Sequence, residues 1–290
     1  MAGAAAVGPG PGAGRRRLNP VPEDFLYTTL GRTGRRVFRL GLSASYRPGQ
    51  DAVRLALDEG VNYFFCYGFD TQMIKVLREL PPSQRQDLVI TTGAYNWKWW
   101  HCNVRRTCEK RLRQLRAEAI DVLLFLGVLS RKDLTERGRE DLLRLREEGK
   151  ARAIGISTHN RKLAGELAAE GELDVLMIRY NAAHRGAEQD IFQHLAARDP
   201  GLVSYTATRW GRLLVRPRGW PKEGPVPTAG MCYRFVLANS HVDVCLTAPY
   251  RLKHFRENLT EVRQGPLSED QMQFMREFGD AVYRRHRWFM

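Results

Sequence analysis

No apolar run in this 290-residue sequence approaches the roughly 18 residues needed to cross a bilayer, so no membrane span is expected. The longest candidate, Val122 to Leu129, has the length of a buried strand. No CxxC occurs. The five cysteines (Cys66, Cys102, Cys108, Cys232 and Cys245) are odd in number and scattered. That excludes a disulfide frame and a zinc site, and it implies reduced thiols in a cytoplasmic setting with no metal bound. Acidic residues are short, 32 against 46 basic, giving a formal charge of +14. Such a field suits nucleic acid or an anionic cofactor. However, no nucleic-acid motif is present, and Arg105, Arg106, Arg111, Arg113 and Arg116 read as surface-helix residues. A solvated basic surface without a nucleic-acid partner is therefore the expectation. The segment from Met1 to about Pro22 lacks the apolar core of a secretion signal and is rich in Ala, Gly and Pro. It reads as a disordered tail over residues 1–24, followed by one domain over 25–290.

From Phe25 onward, apolar runs alternate with helical patterns. A hairpin comes first, Leu26–Leu30 and Arg36–Phe38, turned at Gly31-Arg32-Thr33-Gly34. Strands are expected near 39–44, 61–66, 88–92, 121–126, 153–157, 175–179, 203–206 and 242–246. Their continuous apolarity is that of parallel strands covered by helices. Helices are expected over 50–59, 70–80, 104–119, 133–148, 161–169, 188–197, 230–237 and 252–262, with a terminal helix over 268–284. Eight alternations predict an α/β fold, a closed (β/α)8 TIM barrel with an N-terminal β-hairpin. No G-x-G-x-x-G follows the first strand, which argues against an open dinucleotide-binding sheet. In such a barrel the site is built from the loops after the strands. Most of the notable polar and aromatic residues fall there.

Residues 60–68 read Gly-Val-Asn-Tyr-Phe-Phe-Cys-Tyr-Gly. With Tyr27 to Gly34, Gly155-Ile156-Ser157, Tyr180-Asn181 and Glu257-Asn258-Leu259, all in order over about Tyr27 to Val262, the chain resembles the aldo-keto reductase family. That resemblance implies reduction of a small-molecule carbonyl by hydride transfer from NADP(H), with a tyrosine protonating the oxygen. In the family an aspartate-held lysine lowers the tyrosine pKa and a histidine orients the carbonyl. Here Tyr67 matches the tyrosine, while the aspartate, lysine and histidine positions hold Phe65, Gly93 and Leu126. An uncharged mouth disfavours the phenolate, so the proton donor is expected to be weakened. Lys98 and His101, in the loop Asn96-Trp97-Lys98-Trp99-Trp100-His101-Cys102, are the candidate substitutes. The alternative for that loop is an aromatic lid. His159 and His184, in later loops of the same face, read as hydrogen-bonded loop residues.

The resemblance also implies a cofactor site. Ser157 matches a residue that holds the nicotinamide amide; Thr158 and Met177 replace its usual Asn and Gln partners. Tyr205 matches the aromatic stacked on the nicotinamide, and the segment from Thr206 to Gly211 matches the one beside the pyrophosphate. Glu257 and Asn258 match the adenine contacts. Tyr250, Arg251 and His254 fall where the adenosine 2′-phosphate lies, and cationic donors there favour NADP. Two readings stay open: an oxidoreductase with a rebuilt proton-transfer site, and an inactive dinucleotide-binding pseudoenzyme acting as a sensor or partner-binding protein.

Overall fold

The computed structural model describes residues 21–68, 70–97, 100–101 and 103–285, with backbone only at 96, 97, 100 and 101. A helical turn, Glu23–Leu26, buries Phe25 and leads into β1 (Tyr27–Thr29) and β2 (Arg36–Phe38). These pair antiparallel, Tyr27 opposite Phe38. Their turn ends on Gly34 in the left-handed region (φ 70°), where a side chain would be strained. The buried Leu30 and Val37 belong to the cluster that fills the barrel interior, so the hairpin closes its N-terminal end.

Eight parallel strands follow: β3 (Leu40–Ser43), β4 (Tyr63–Cys66), β5 (Val89–Trp97), then, past the short β6 (Trp100–His101), β7 (Ile120–Leu126), β8 (Ala151–Thr158), β9 (Val175–Arg179), β10 (Gly201–Tyr205) and β11 (Val244–Thr247). β11 pairs with β3, and β4 with β5, which closes the ring. The predicted barrel is the fold. β7 shows why its strands are apolar throughout: Val122, Leu124 and Leu126 join the interior cluster, while Leu123 and Phe125 join the layer under the helices.

A regular device sets the register at the base. The side chain of Asn62, just before β4, accepts the Phe38 N–H at 2.7 Å. Asp121 at the start of β7 accepts from Ile90 of β5 at 2.9 Å, and Asp174 before β9 from Ile154 of β8 at 3.0 Å. Asp243 before β11 accepts from Leu202 of β10 at 2.8 Å. Every second barrel strand thus begins with a carbonyl or carboxylate that satisfies a backbone donor of the strand before it or, for Asn62, of the hairpin residue leading into that strand.

Helices span Gly49–Asp58, Gln72–Glu79, Val104–Leu115, Glu136–Glu147, Arg161–Glu170, Ala229–Leu237, Leu252–Val262 and Glu269–Arg285. Asn103, Thr135, Asn160 and Thr228 cap four of them by accepting first-turn N–H groups. Three expectations are corrected. The helix expected over 188–197 is a single turn, Ala187–Asp190, and a 3-10 turn, Phe192–His194, broken at Ile191 (φ −123°, ψ −53°). There the Asp190 carbonyl lies so close to Gly165 that a Cβ would collide with it. The helix from Val104 stops at Leu115 because Arg116 turns left-handed (φ 52°). β5 runs past Thr92 to Trp97, since its end folds back on β6 with Asn96 opposite His101.

The terminal helix crosses the C-terminal face. Gly279 lets it approach the Ala182 carbonyl, and Arg185 binds Asp280 at 2.7 Å. The loop from Arg216 to Pro227 docks on it through Trp220, 4.9 Å from the Phe278 ring. Among the described residues no helix is long and apolar enough to cross a membrane.

Candidate active site

Three tyrosines stand at the C-terminal mouth on top of the interior cluster: Tyr67, Tyr95 and Tyr205. The Tyr67 and Tyr95 hydroxyls are 2.8 Å apart and their rings meet edge to face at 5.9 Å. Phe65, 3% exposed, packs 5.6 Å from the Tyr67 ring. Leu126 is equally buried. A Cβ at Gly93 would fall 2.6 Å from the Leu124 carbonyl oxygen and 2.7 Å from Leu126 Cγ. Gly93 and Leu126 therefore share one volume, so the two departures from the family pattern are coupled by packing. Burial, then the Tyr67 hydrogen bond, pushes the Tyr95 hydroxyl well above the usual phenol range.

Tyr67 is also held from behind. Thr92 Oγ1 donates to the Cys66 carbonyl at 2.8 Å and accepts from Arg111 Nε at 3.2 Å, while Arg111 Nη2 donates to the Gly68 carbonyl at 3.2 Å. The carbonyls of the two residues flanking Tyr67 are thereby held. Arg111, expected on the surface, is 7% exposed, and burial lowers its pKa. Its helix buries Val104, Cys108, Arg111 and Leu115, so Arg111 occupies a position on the inward stripe.

Across the mouth, Tyr205 Oη donates to the Thr158 carbonyl at 3.2 Å, and the His159 ring meets it edge to face at 5.3 Å. His184 Nε2 accepts from the fully buried Arg209 at 3.0 Å. Burial, followed by Arg179, pulls His159 down to about 4 and His184 down to about 3. Both imidazoles are uncharged at neutral pH. The loop after β10 is strained: Thr206, Arg209 and Trp210 all have positive φ (61°, 52° and 51°), which is a true outlier for a β-branched threonine.

The other candidates are dispersed around this mouth. Ser157 Oγ accepts from the Gly127 N–H at 3.0 Å. Thr158 is 2% exposed and its Oγ1 accepts from the Asn160 N–H. Tyr250 is 71% exposed and lies 4.8 Å from the Tyr46 ring. Arg251 is the N-cap of helix Leu252–Val262 with no side-chain cap. His254 and Glu257 are exposed, Glu257 3.8 Å from Lys253. Asn258 is buried and donates to Thr247 Oγ1 at 3.2 Å. Lys98 lies outside the described residues; His101 is described only as backbone in β6.

Two residues were missed by sequence reasoning. Tyr95 lies in the same aromatic stretch that drew attention to Lys98 and His101. Arg179 lies on β9 two residues past Met177 and four past Val175, both interior, so alternation along the strand pointed to it. Cavities of about 460 Å³ in the helical layer (Val128, Leu134, Leu163, Leu167) and about 340 Å³ at the base (Arg32, Asp121, Asp174) are not lined by the three mouth tyrosines. The paired hydroxyls and the strained loop converge at the mouth instead. Among the described residues no cluster of His, Cys, Asp or Glu is arranged to hold a metal.

The model of the Aldo/keto reductase family matches residues 41–217, more than half of the chain, and the chain belongs to that family. No curated protein sequence matches it. Among solved structures it is similar to the holo form of aldo-keto reductase AKR11C1 from Bacillus halodurans, at 18% identity and a TM-score of 0.73, covering 90% of this chain and 99% of that one. A putative aldo-keto reductase from Pseudomona aeruginosa gives 22% identity and 0.64, over 84% of this chain and 98% of that one. A putative 2,5-diketo-D-gluconic acid reductase B gives 20% and 0.65, over 87% and 90%. Identities this low speak to the fold, which is the same barrel.

Proposed function

We propose that this chain is an NADP(H)-binding oxidoreductase that reduces a small-molecule carbonyl, with Tyr67 as a weakened proton donor. The observation that carries the reading is the Tyr67 hydroxyl, held in the mouth by its 2.8 Å contact with Tyr95 and by the bonded carbonyls of Cys66 and Gly68 on either side. Family membership supports the oxidoreductase class. When bound, the nicotinamide supplies the hydride to the carbonyl carbon. Tyr67 then gives its proton to the carbonyl oxygen, while Phe65 and Leu126 keep water from the floor of the site.

The residues suit such a cofactor. Thr206 Oγ1 and His159 Nδ1 are buried without a partner on either side of Tyr205, and a ligand there would satisfy them. Ser157, Thr158, Tyr205 and Thr206 would hold the nicotinamide end, with Thr158 Oγ1 accepting from Asn160 and its carbonyl from Tyr205. Arg251, His254 and Tyr250 would meet the 2′-phosphate at the open first turn of helix Leu252–Val262. Glu257 would meet adenine, and Asn258 would do so on releasing Thr247. With the usual Asn and Gln absent, the expected affinity is micromolar or weaker. No nucleic-acid partner is proposed, and the buried thiols of Cys66, Cys108, Cys232 and Cys245 suit a cytoplasmic setting.

A second reading has its own observation. The Gly93–Leu126 interlock is well packed, as a site given over to stability would be, and it favours a dinucleotide-binding pseudoenzyme. NADPH fluorescence on titration, followed by turnover across aldehydes, quinones and ketosteroids, separates the two. Binding with turnover that falls in Tyr67→Phe supports the enzyme; binding without turnover supports the pseudoenzyme. No binding at millimolar NADPH rejects both.

A further inference from the structure

The interior row of β5 carries Gly93 where the family resemblance puts a lysine, and then Tyr95 two residues on, pointing to the same side. Tyr95 is seated with care. Its ring lies against Gly127, where a Cβ would come within 3.2 Å of Tyr95 Cδ1, and Gly127 is left-handed at φ 75°. Gly127 is in turn fixed by donating its N–H to Ser157 Oγ. From Ser157 through Gly127 to Tyr95 and Tyr67, the contacts form one continuous chain across the mouth. Among the described residues, Tyr67 makes its one side-chain hydrogen bond to Tyr95.

We infer that Tyr95 is a positioning residue that replaces the missing lysine: its hydroxyl donates to Tyr67 Oη, so the Tyr67 proton is presented to the ligand. Either oxygen can be the donor by distance alone, and with Tyr95 as the donor the Tyr67 O–H is left free to point at the ligand. A phenol that receives a hydrogen bond is polarised and donates more strongly itself. When Tyr67 gives its proton to a carbonyl oxygen, the O–H bond of Tyr67 breaks, a new O–H bond forms on the product, and the electron pair stays on Tyr67 Oη. Tyr95 then hydrogen-bonds that phenolate, and water returns the proton. A lysine would do this with charge; Tyr95 does it with a neutral donor, which is weaker and tolerates the apolar surroundings of Phe65 and Leu126.

The inference rests on the oxidoreductase reading for its chemistry, so its test includes a measurement that needs no turnover. Protein labelled with 13C at tyrosine Cζ reports each phenol ionisation by NMR, with the Tyr67 signal assigned by its loss in Tyr67→Phe. Tyr95→Phe keeps the ring against Gly127 and removes only the hydroxyl. It should raise the Tyr67 pKa by about one to two pH units, the effect of losing a hydrogen bond to a charged group. It should also lower kcat for NADPH oxidation with 4-nitrobenzaldehyde by about 10- to 100-fold while KM and NADPH quenching stay close to wild type. Tyr95→His, which returns an N–H donor, should bring the Tyr67 ionisation back down. An unchanged Tyr67 titration in Tyr95→Phe overturns the proposal, whatever the activity. Absence of turnover in the wild type, with the titration shifted as expected, removes the oxidoreductase reading and leaves the pair standing.

Discussion

Gly93 and Leu126 lie on neighbouring strands and contend for the same space: a Cβ at residue 93 would fall 2.7 Å from Leu126 Cγ. The residues at these two positions are thus coupled by packing. Gly93→Lys alone should overpack the mouth and cost about 1–3 kcal/mol, read as a lower urea midpoint. Adding Leu126→His and Phe65→Asp should recover only part, because the 2.6 Å approach to the Leu124 carbonyl involves backbone that cannot turn aside. Full recovery of stability in the triple variant would show that the side-chain contact alone mattered.

Arg111 holds Tyr67 from outside the barrel, through the Gly68 carbonyl and Thr92. Arg111→Lys should not substitute, since a single ammonium cannot reproduce the planar fork. The expected loss is on the order of 2 kcal/mol for buried charged hydrogen bonds, together with a drop in kcat larger than the change in NADPH affinity. Unfolding curves and fluorescence titrations on the same preparations check both. Equal losses in kcat and cofactor binding would mean that the variant loosens the whole mouth.

Arg251 and His254 stand exposed at the first turn of helix Leu252–Val262. Arg251→Ala with His254→Ala should weaken NADPH about 10-fold and leave NADH nearly unchanged, the signature of contacts to a phosphate. The difference should shrink as salt rises, since exposed charges are screened. Parallel titrations with both nucleotides at two ionic strengths read this out.

Asp243 is half-buried just ahead of β11, and desolvation pushes it up to about 7 from the usual 3.8. A raised carboxyl binds its proton more tightly folded than unfolded. Its contribution to stability is therefore largest at acid pH and falls as the pH climbs from about 4 through 7. His159 and His184, lowered by burial to about 4 and about 3, act with the opposite slope: below about 6.5 the unfolded chain gains protons that the fold refuses. Asp243→Asn keeps an oxygen for the Leu202 N–H and removes only the titration. The difference in melting temperature between Asp243→Asn and wild type should grow from pH 5 to pH 8 in favour of the variant; a flat difference counts against the shifted carboxyl.

The barrel was legible because each strand is apolar on both faces, as β7 shows with its alternating interior and helix-facing residues. The break at Ile191 was not, since it follows from the approach of Asp190 to Gly165, a contact between segments distant in sequence. In the site, Tyr67 could be read from its neighbours at 60–68. Arg111 was misjudged by charge although its spacing from Val104, Cys108 and Leu115 marked it as inward. Tyr95 was hidden by its company: among tryptophans, its seat against Gly127 becomes visible only once β5 and β7 are side by side.

The base of the barrel has a further consequence. The side chains of Asn62, Asp121, Asp174 and Asp243 each accept from the preceding strand or the residue leading into it, and Asn62 Nδ2 and the Asp174 carbonyl also bond onward to Asp87 and Gly201. The side-chain acceptors thus mark four modules of two strands, with Asn62 and Asp174 also stitching one module to the next. The connections between modules, such as residues 127–150 between β7 and β8, are natural places to open the chain and rejoin its ends. A circular permutant cut there keeps every tie, whereas one cut between β10 and β11 severs a module and asks Asp243 to find Leu202 from the far end of the polypeptide.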